Sequence, residues 1–257
     1  MAAGIPLTAG MGSTKIPIMT NYDFNYHGPV VVFDLDDTLM RERDFCRSGF
    51  RHIEKRLIAE RGEHWCGIAA SMEERLNNRA NYFALLEERL AAECPDAQTL
   101  RSLMADIVAD YRSHRPDRLH MAPGAAALIS ELQRRGIVMA LVTDGRSVTQ
   151  RRKIEALGLN AYINPADIFI SEERGADKLQ PDSFCEIVRR YPEARRFIYV
   201  ADNPDKDFRM PNLLGWTTCR VPIDADNVHP DPAEVAETDR PAVSLGSIEE
   251  VLTLCEE

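Results

Sequence analysis

Asp34 and Asp36 stand two residues apart at the end of the run Val30-Val31-Val32-Phe33, with Asp37-Thr38 directly after them. Four apolar, mostly β-branched residues in succession read as a strand buried on both faces, of the kind found inside a parallel sheet. If the extended backbone persists, both carboxylates project to the same side of the strand end. Two negative charges in one small space are costly unless a cation lies between them or one carboxyl is protonated. Either arrangement is useful chemistry.

Later strand ends add compatible groups. The run Ile137 to Val142 closes on Thr143-Asp144-Gly145, a hydroxyl followed by a turn whose N–H groups could bind phosphate oxygens. Lys178 lies just before Pro181, a residue suited to the first turn of a helix. Phe197 to Ala201 runs into Asp202-Asn203-Pro204-Asp205-Lys206-Asp207, a second acidic cluster after a buried strand. Two acidic strand ends can hold a hard, oxygen-seeking cation, Mg²⁺ by preference when phosphate shares its shell. Thr143 and Lys178 would then supply a donor and a positive charge to the remaining oxygens.

The elements that must position these groups alternate. From Pro123 onward the pattern predicts helix 124–135, strand 137–143, helix 147–157, strand 167–170, helix 181–191, strand 197–201, helix 205–214 and strand 216–221. Helices of about a dozen residues between short apolar strands predict right-handed crossovers and a Rossmann-like parallel sheet, an α/β fold. Between Arg41 and Arg115 three stretches show helical spacing instead, built on Phe45 to Ile58, Met72 to Leu90 and Leu100 to Val108, with Asp96 placed to cap the third. The expected organisation is an irregular lead-in over 1–28, an α/β core over 29–40 and 119–257, and a helical insert over 41–118. The Pro- and Asp-rich stretch from Pro222 to Val243 reads as loop, followed by a short closing helix from Ser247.

Composition narrows the partners. The 257 residues are 44% hydrophobic and 28% charged, enough apolar content for a core in an ordinary soluble protein. A formal charge of -10 argues against a nucleic-acid surface and against an anionic membrane, so an anionic ligand must be small and met by local positive charge. The six cysteines are scattered without a C-x-x-C pair, which indicates neither a zinc site nor a disulfide framework, and a cytoplasmic location is the simplest expectation. No basic start with an apolar stretch and no 18-residue apolar run suggests export or a membrane span. No residue pattern fixes an oligomeric state.

In their order along the chain these motifs resemble the haloacid dehalogenase (HAD) superfamily, in its phosphatase-like branch with a helical C1-type cap after the first strand. The resemblance rests on D-x-D-x-T as Asp34-Leu35-Asp36-Asp37-Thr38, Thr143 with Asp144-Gly145, Lys178, and the acidic motif of Asp202 and Asp207. It spans about Val30 to Val221. Ala201 stands where Gly is common and Leu179 where Pro often follows the Lys, and neither departure removes a functional side chain.

The resemblance implies a Mg²⁺-dependent phosphomonoester hydrolase for a small phosphorylated metabolite, a sugar phosphate or a nucleoside monophosphate. Asp34 would attack phosphorus to form an aspartyl phosphate, and Asp36 would protonate the leaving alcohol and then activate water. Thr143, Asp144, Gly145 and Lys178 would bind the phosphoryl oxygens. Mg²⁺ would be held by the Asp34 carboxylate, the Asp36 carbonyl and Asp202, with Asp207 supporting the shell or steadying Lys178. Asp36 also separates the chain from dehalogenase members, because a halide leaves without a proton whereas an alkoxide does not. Two alternatives remain at this point: a sugar phosphomutase of the same superfamily, and, remotely, a receiver-like phosphoaccepting module. Arg41, Arg43, Arg47, Arg51 and His52 crowd the start of the insert, where they either meet a second anionic group or serve as helix surface charges.

Overall fold

Six parallel strands form one sheet in the order β3-β2-β1-β4-β5-β6. They are β1 (Pro29–Phe33), β2 (Val138–Thr143), β3 (Ile168–Ile170), β4 (Arg196–Ala201), β5 (Thr217–Arg220) and β6 (Val243–Ser244). The structure is a computed structural model that describes residues 23, 25–223, 226–229 and 231–256. The expected lead-in therefore falls almost wholly outside the described residues. β1 is central, and all five of its residues are buried. Val31 and Phe33 face one apolar layer with Leu128, Ile129 and Leu132 of α5 (Ala125–Arg134) and Ile154 of α6 (Ser147–Ala156). Val30 and Val32 face the other layer, with Phe184 and Ile187 of α8 (Asp182–Arg190). This two-sided burial is why β1 carries no polar alternation.

Strand order reverses at β1: the chain continues to β2 and β3 on one side and to β4, β5 and β6 on the other. Crossover helices part at such a switch point and leave a crevice outside the carboxyl ends of the strands, the usual ligand position in open α/β sheets. Asp34 and Asp202 follow the two strands that flank that crevice.

The insert holds four helices: α1 (Glu42–Arg61), α2 (Ile68–Asn77), α3 (Tyr82–Ala91) and α4 (Ala97–Ser113). The second periodic stretch is divided because Arg79 adopts a left-handed φ of 54° and the Asn81 side chain accepts from the Phe83 and Ala84 N–H groups, starting a new helix. Asp96 caps α4 as expected, accepting from Gln98 and Thr99. The chain enters and leaves the insert side by side, with Met40 bridged to Met121 and the Ala122 N–H donating to the Leu39 carbonyl at 2.8 Å.

The helix expected over 205–214 shrinks to α9 (Arg209–Leu213), because the preceding turn folds on itself: the Asp207 N–H donates to the Asn203 carbonyl, and the Asp207 carboxylate accepts from the Asn203 N–H. The expected closing helix is a 3₁₀ turn over Ile248–Glu250 running into α10 (Val251–Leu254). The remaining helix is the short α7 (Ser171–Arg174). Among the described residues no helix is long and apolar enough to cross a membrane.

Phe184 joins α8 to the sheet, edge-on to Tyr199 at 5.3 Å and to Trp216 at 5.6 Å. Phe184→Ala is expected to lower unfolding stability by about 3–5 kcal/mol in urea titration. A loss below about 1 kcal/mol would show that this layer does not hold the helix to the sheet.

Candidate active site

β1 pairs with β4 so that Phe33 lies beside Val200, and the Asp34 N–H still donates to the Val200 carbonyl at 2.9 Å. The sheet thus fixes the Asp34 backbone before the chain turns. Asp37 then takes a left-handed φ of 53°, a conformation that Asp tolerates better than most residues. Its carboxylate accepts from the Glu42 N–H at 3.0 Å and the Val228 N–H at 2.9 Å, tying the start of α1 to the stretch after β5.

Asp34, Asp202 and Asp207 are all buried, and each offers one carboxylate oxygen within 4.8 Å of the others. Lys178, 1% exposed, donates to Asp34 and, at 2.7 Å, to Asp207. Thr38 donates to the other Asp34 oxygen at 3.2 Å. Burial raises the Asp34 pKa and Asp207 adds to it; Lys178 opposes both, and the result is about 6. Burial, then repulsion from Asp34 and Asp207, pushes Asp202 up to about 8. Burial disfavours the charged Lys178 ammonium, but Asp207 and Asp34 outweigh it and hold the ammonium charged. Once ionised, three buried hard-oxygen donors carry more negative charge than one lysine neutralises, so this donor set fits a divalent, oxygen-seeking cation.

Asp36 lies outside that trio. Its Oδ1 accepts from Lys153 Nζ at 2.7 Å and its Oδ2 from Gln150 Nε2 at 2.9 Å. Burial alone would raise the Asp36 pKa; Lys153 and the Gln150 bond overcome it and hold the group below the ordinary value. The same Gln150 amide donates to Thr143 Oγ1 at 2.6 Å. The Asp144 carboxylate accepts from the Lys178 N–H at 3.2 Å, ordering the loop that carries the lysine. The Gly145 N–H donates to Ser171 Oγ at 2.9 Å, so in this state its turn is tied to the β3 end.

The structure therefore brings Asp34, Asp202, Asp207 and Lys178 into one cluster and links Asp36 to Thr143 through Gln150. Sequence reasoning passed over Gln150 and Lys153, which sit inside an otherwise polar helix, and gave Lys206 no role. The half-buried Lys206 ammonium is disfavoured by burial and by Lys178, but Asp34, Asp207 and Asp144 hold it charged. The insert cations are already engaged: Arg43 with Asn77 and the Asp226 carbonyl, Arg47 with Glu73 and Asp44, Arg51 with Asp117, and His52 with Asp110. A signal for Lys153 was available in retrospect, since it is one helical turn beyond Gln150 on the inward face of α6.

Known proteins are similar to this chain in sequence and in fold. Residues 29–215 match the family model of the haloacid dehalogenase-like hydrolases. The chain belongs to that family. A glyceraldehyde 3-phosphate phosphatase of Methanopyrus kandleri is 28% identical over 234 residues, covering 86% of this chain and 97% of that protein. A protein of the same description from Methanocaldococcus jannaschii is 25% identical and covers 74% of this chain and 83% of its own length. Among solved structures, the HAD-type protein YfnB of Bacillus subtilis, crystallised bound to magnesium, superposes with a TM-score of 0.60 at 19% identity, over 90% of this chain and 100% of that one.

Folded Asp202 keeps its proton to a higher pH than the unfolded chain does, so without a cation stability should fall as pH rises from about 4 to about 8. A divalent cation binds the ionised carboxylates and must displace that proton. Thermal unfolding in chelator is expected to occur at lower temperature at pH 8 than at pH 6, and added Mg²⁺ should raise it more at pH 8. Equal Mg²⁺ shifts at both pH values would mean that these carboxyls do not titrate with binding.

Proposed function

We propose that the chain is a Mg²⁺-dependent phosphomonoester hydrolase that acts on a small phosphorylated metabolite, of the triose- or sugar-phosphate kind, through an aspartyl-phosphate intermediate. The observation that carries this reading is the buried trio of Asp34, Asp202 and Asp207 joined by Lys178 at the sheet's switch point. The substrate class draws on the two glyceraldehyde 3-phosphate phosphatases, each matched over most of its length.

In the proposed reaction an Asp34 oxygen attacks phosphorus as the bond to the alcohol oxygen breaks. Lys178 holds the transferred group's oxygens beside the nucleophile and steadies the Asp207 carboxylate when the site is empty of phosphate. Thr143 gives a hydroxyl to the same oxygens, its position set by the Gln150 amide. Asp36 gives a proton to the leaving alkoxide and then takes one from the water that cleaves the acyl phosphate. Mg²⁺, held by Asp34, the Asp36 carbonyl and Asp202, with Asp207 supporting, would supply charge neutralisation between the nucleophile and the incoming phosphate. The core performs this chemistry, and the helical insert, as a cap, faces the leaving group. A cytoplasmic location, a small-molecule substrate and no nucleic-acid or membrane partner complete the reading, with the charge of -10 as its support. The family match speaks for a hydrolase over a receiver module.

Phosphate release from a panel of sugar phosphates, nucleoside monophosphates and p-nitrophenyl phosphate, with and without Mg²⁺, tests the reading and also separates a hydrolase from a mutase, which would return an isomeric ester. Asp34→Asn should cut turnover by about 10³-fold or more while the protein stays folded. Mg²⁺-dependent hydrolysis persisting in a folded, uncontaminated variant would refute the covalent route. Lys178→Met should depress kcat/KM for every ester by a similar factor, because the transferred group is common to all of them. Losses confined to some esters would move Lys178 to the leaving-group side.

A further inference from the structure

Lys153 is a buried ammonium in the middle of α6, 3% exposed, and among the described residues Asp36 is the one carboxylate within ion-pair reach of it. Its Nζ also lies 4.7 Å from the centre of the Phe45 ring on α1, so the insert covers the pair with an aromatic face. A buried ammonium gives up its hydration and stays charged only if its partner is fixed. The partner is fixed from the other side as well. Gln150, 1% exposed, directs Nε2 at three acceptors: Asp36 Oδ2 at 2.9 Å, Thr143 Oγ1 at 2.6 Å and the Asp144 carbonyl at 3.2 Å.

Two of those acceptors, a carboxylate and a carbonyl, cannot donate, so the side-chain amide must present its NH₂ group there. That group has two hydrogens for three oxygens. One contact is always shared, and the 2.6 Å bond to Thr143 is the short one. Asp36 Oδ1 is held by the Lys153 ammonium, whereas Oδ2 meets an amide whose two hydrogens also serve Thr143 and the Asp144 carbonyl. Gly145 leaves the space for this: a Cβ on it would come within 3.2 Å of the Gln150 side chain.

We propose that Lys153 and Gln150 are positioning residues for the acid–base group: they anchor one oxygen of Asp36 and present the other to the leaving-group side of the site, in register with Thr143. The proposal rests on the reading of Asp36 as the acid and base of a phosphatase. Neither residue touches the substrate in it. The clamp also couples the acid to the insert, because Phe45 of α1 closes over the ammonium.

Leaving-group dependence tests the idea, since an alkyl phosphate needs its departing oxygen protonated and an aryl phosphate with a stable phenolate does not. Lys153→Met, which keeps the stem on Phe45, should lower kcat/KM for glycerol phosphate by about 10²-fold or more and for p-nitrophenyl phosphate by less than about 10-fold. Asp36→Asn should show the same discrimination, and adding Lys153→Met to it should cost little more, because both changes remove one function. Gln150→Met, which strands no charge, should give a smaller loss of the same selectivity, and it carries the test if Lys153→Met fails to fold in thermal unfolding. Equal losses on both esters, or losses that multiply in the double variant, would overturn the clamp. Asp34→Asn reports separately on the covalent reading: if it abolishes hydrolysis while Lys153→Met and Gln150→Met lack the selectivity, the phosphatase stands and the clamp falls.

Discussion

The burial of Asp34, Asp202 and Asp207 around Lys178 is the constraint to which the rest of the structure answers. Ionised groups placed together in a low-dielectric interior are costly, and each must be matched by an opposite charge or a hydrogen bond. Lys178 can reach Asp34 and Asp207 from the loop before α8 because Asp144 holds the lysine's own N–H. The Asp207 carboxylate also folds back to the Asn203 N–H, which turns the chain after β4. The turn that shortens α9 is therefore part of the charge arrangement rather than a loose connection. When Asp202 gives up its proton, the negative charge left over is what a divalent cation would neutralise.

Two carboxylates only two residues apart end in opposite environments. Asp34 is raised by burial beside other acids, whereas Asp36 is lowered by Lys153 and Gln150 despite burial. Burial among acids favours the proton on Asp34, whereas the lysine and the amide favour the ionised form of Asp36, so one strand end holds two carboxyls of different character. The separation arises from the partners, Lys178 for Asp34 and Lys153 with Gln150 for Asp36, and the chain turns at Asp37, whose backbone is left-handed, just after the two acids. That same residue binds the first N–H of α1, so the turn that follows the acids also launches the insert.

The insert and the stretch after β5 meet over this turn. Val228 donates to Asp37, Arg43 of α1 donates to the Asp226 carbonyl, and Asn227 donates to Asp202 at 3.5 Å. A segment that composition marks only as a polar loop thus links α1 to the acidic end of β4. Beside it opens a cavity of about 380 Å³, bordered by Asp37, Thr38, Arg41, Asn227 and Ser247. Arg43 holds these parts together, while Arg47 and Arg51 pair with insert carboxylates.

The alternation of apolar runs with dozen-residue helices, the two-sided burial of Val30 to Phe33 and the acidic residues at two strand ends were all readable in the sequence, because each depends on local periodicity or on residue type. So were the Asp96 cap and the insert's helical character. The division of α2 from α3 was not, since it turns on the left-handed Arg79 and an Asn81 cap inside an unbroken apolar period. Lys153 reads in sequence as one more charge on a polar helix, and Gln150 as one more amide. Which face of α6 meets Asp36 is set by how that helix packs across the sheet, a relation spanning 117 residues between Lys153 and Asp36. The sequence by itself determined the class of fold and the chemical types at the strand ends. Only the tertiary structure decided which acid stands with Lys178 and which with Lys153, because partner choice for a buried charge follows from packing geometry rather than from neighbours along the chain.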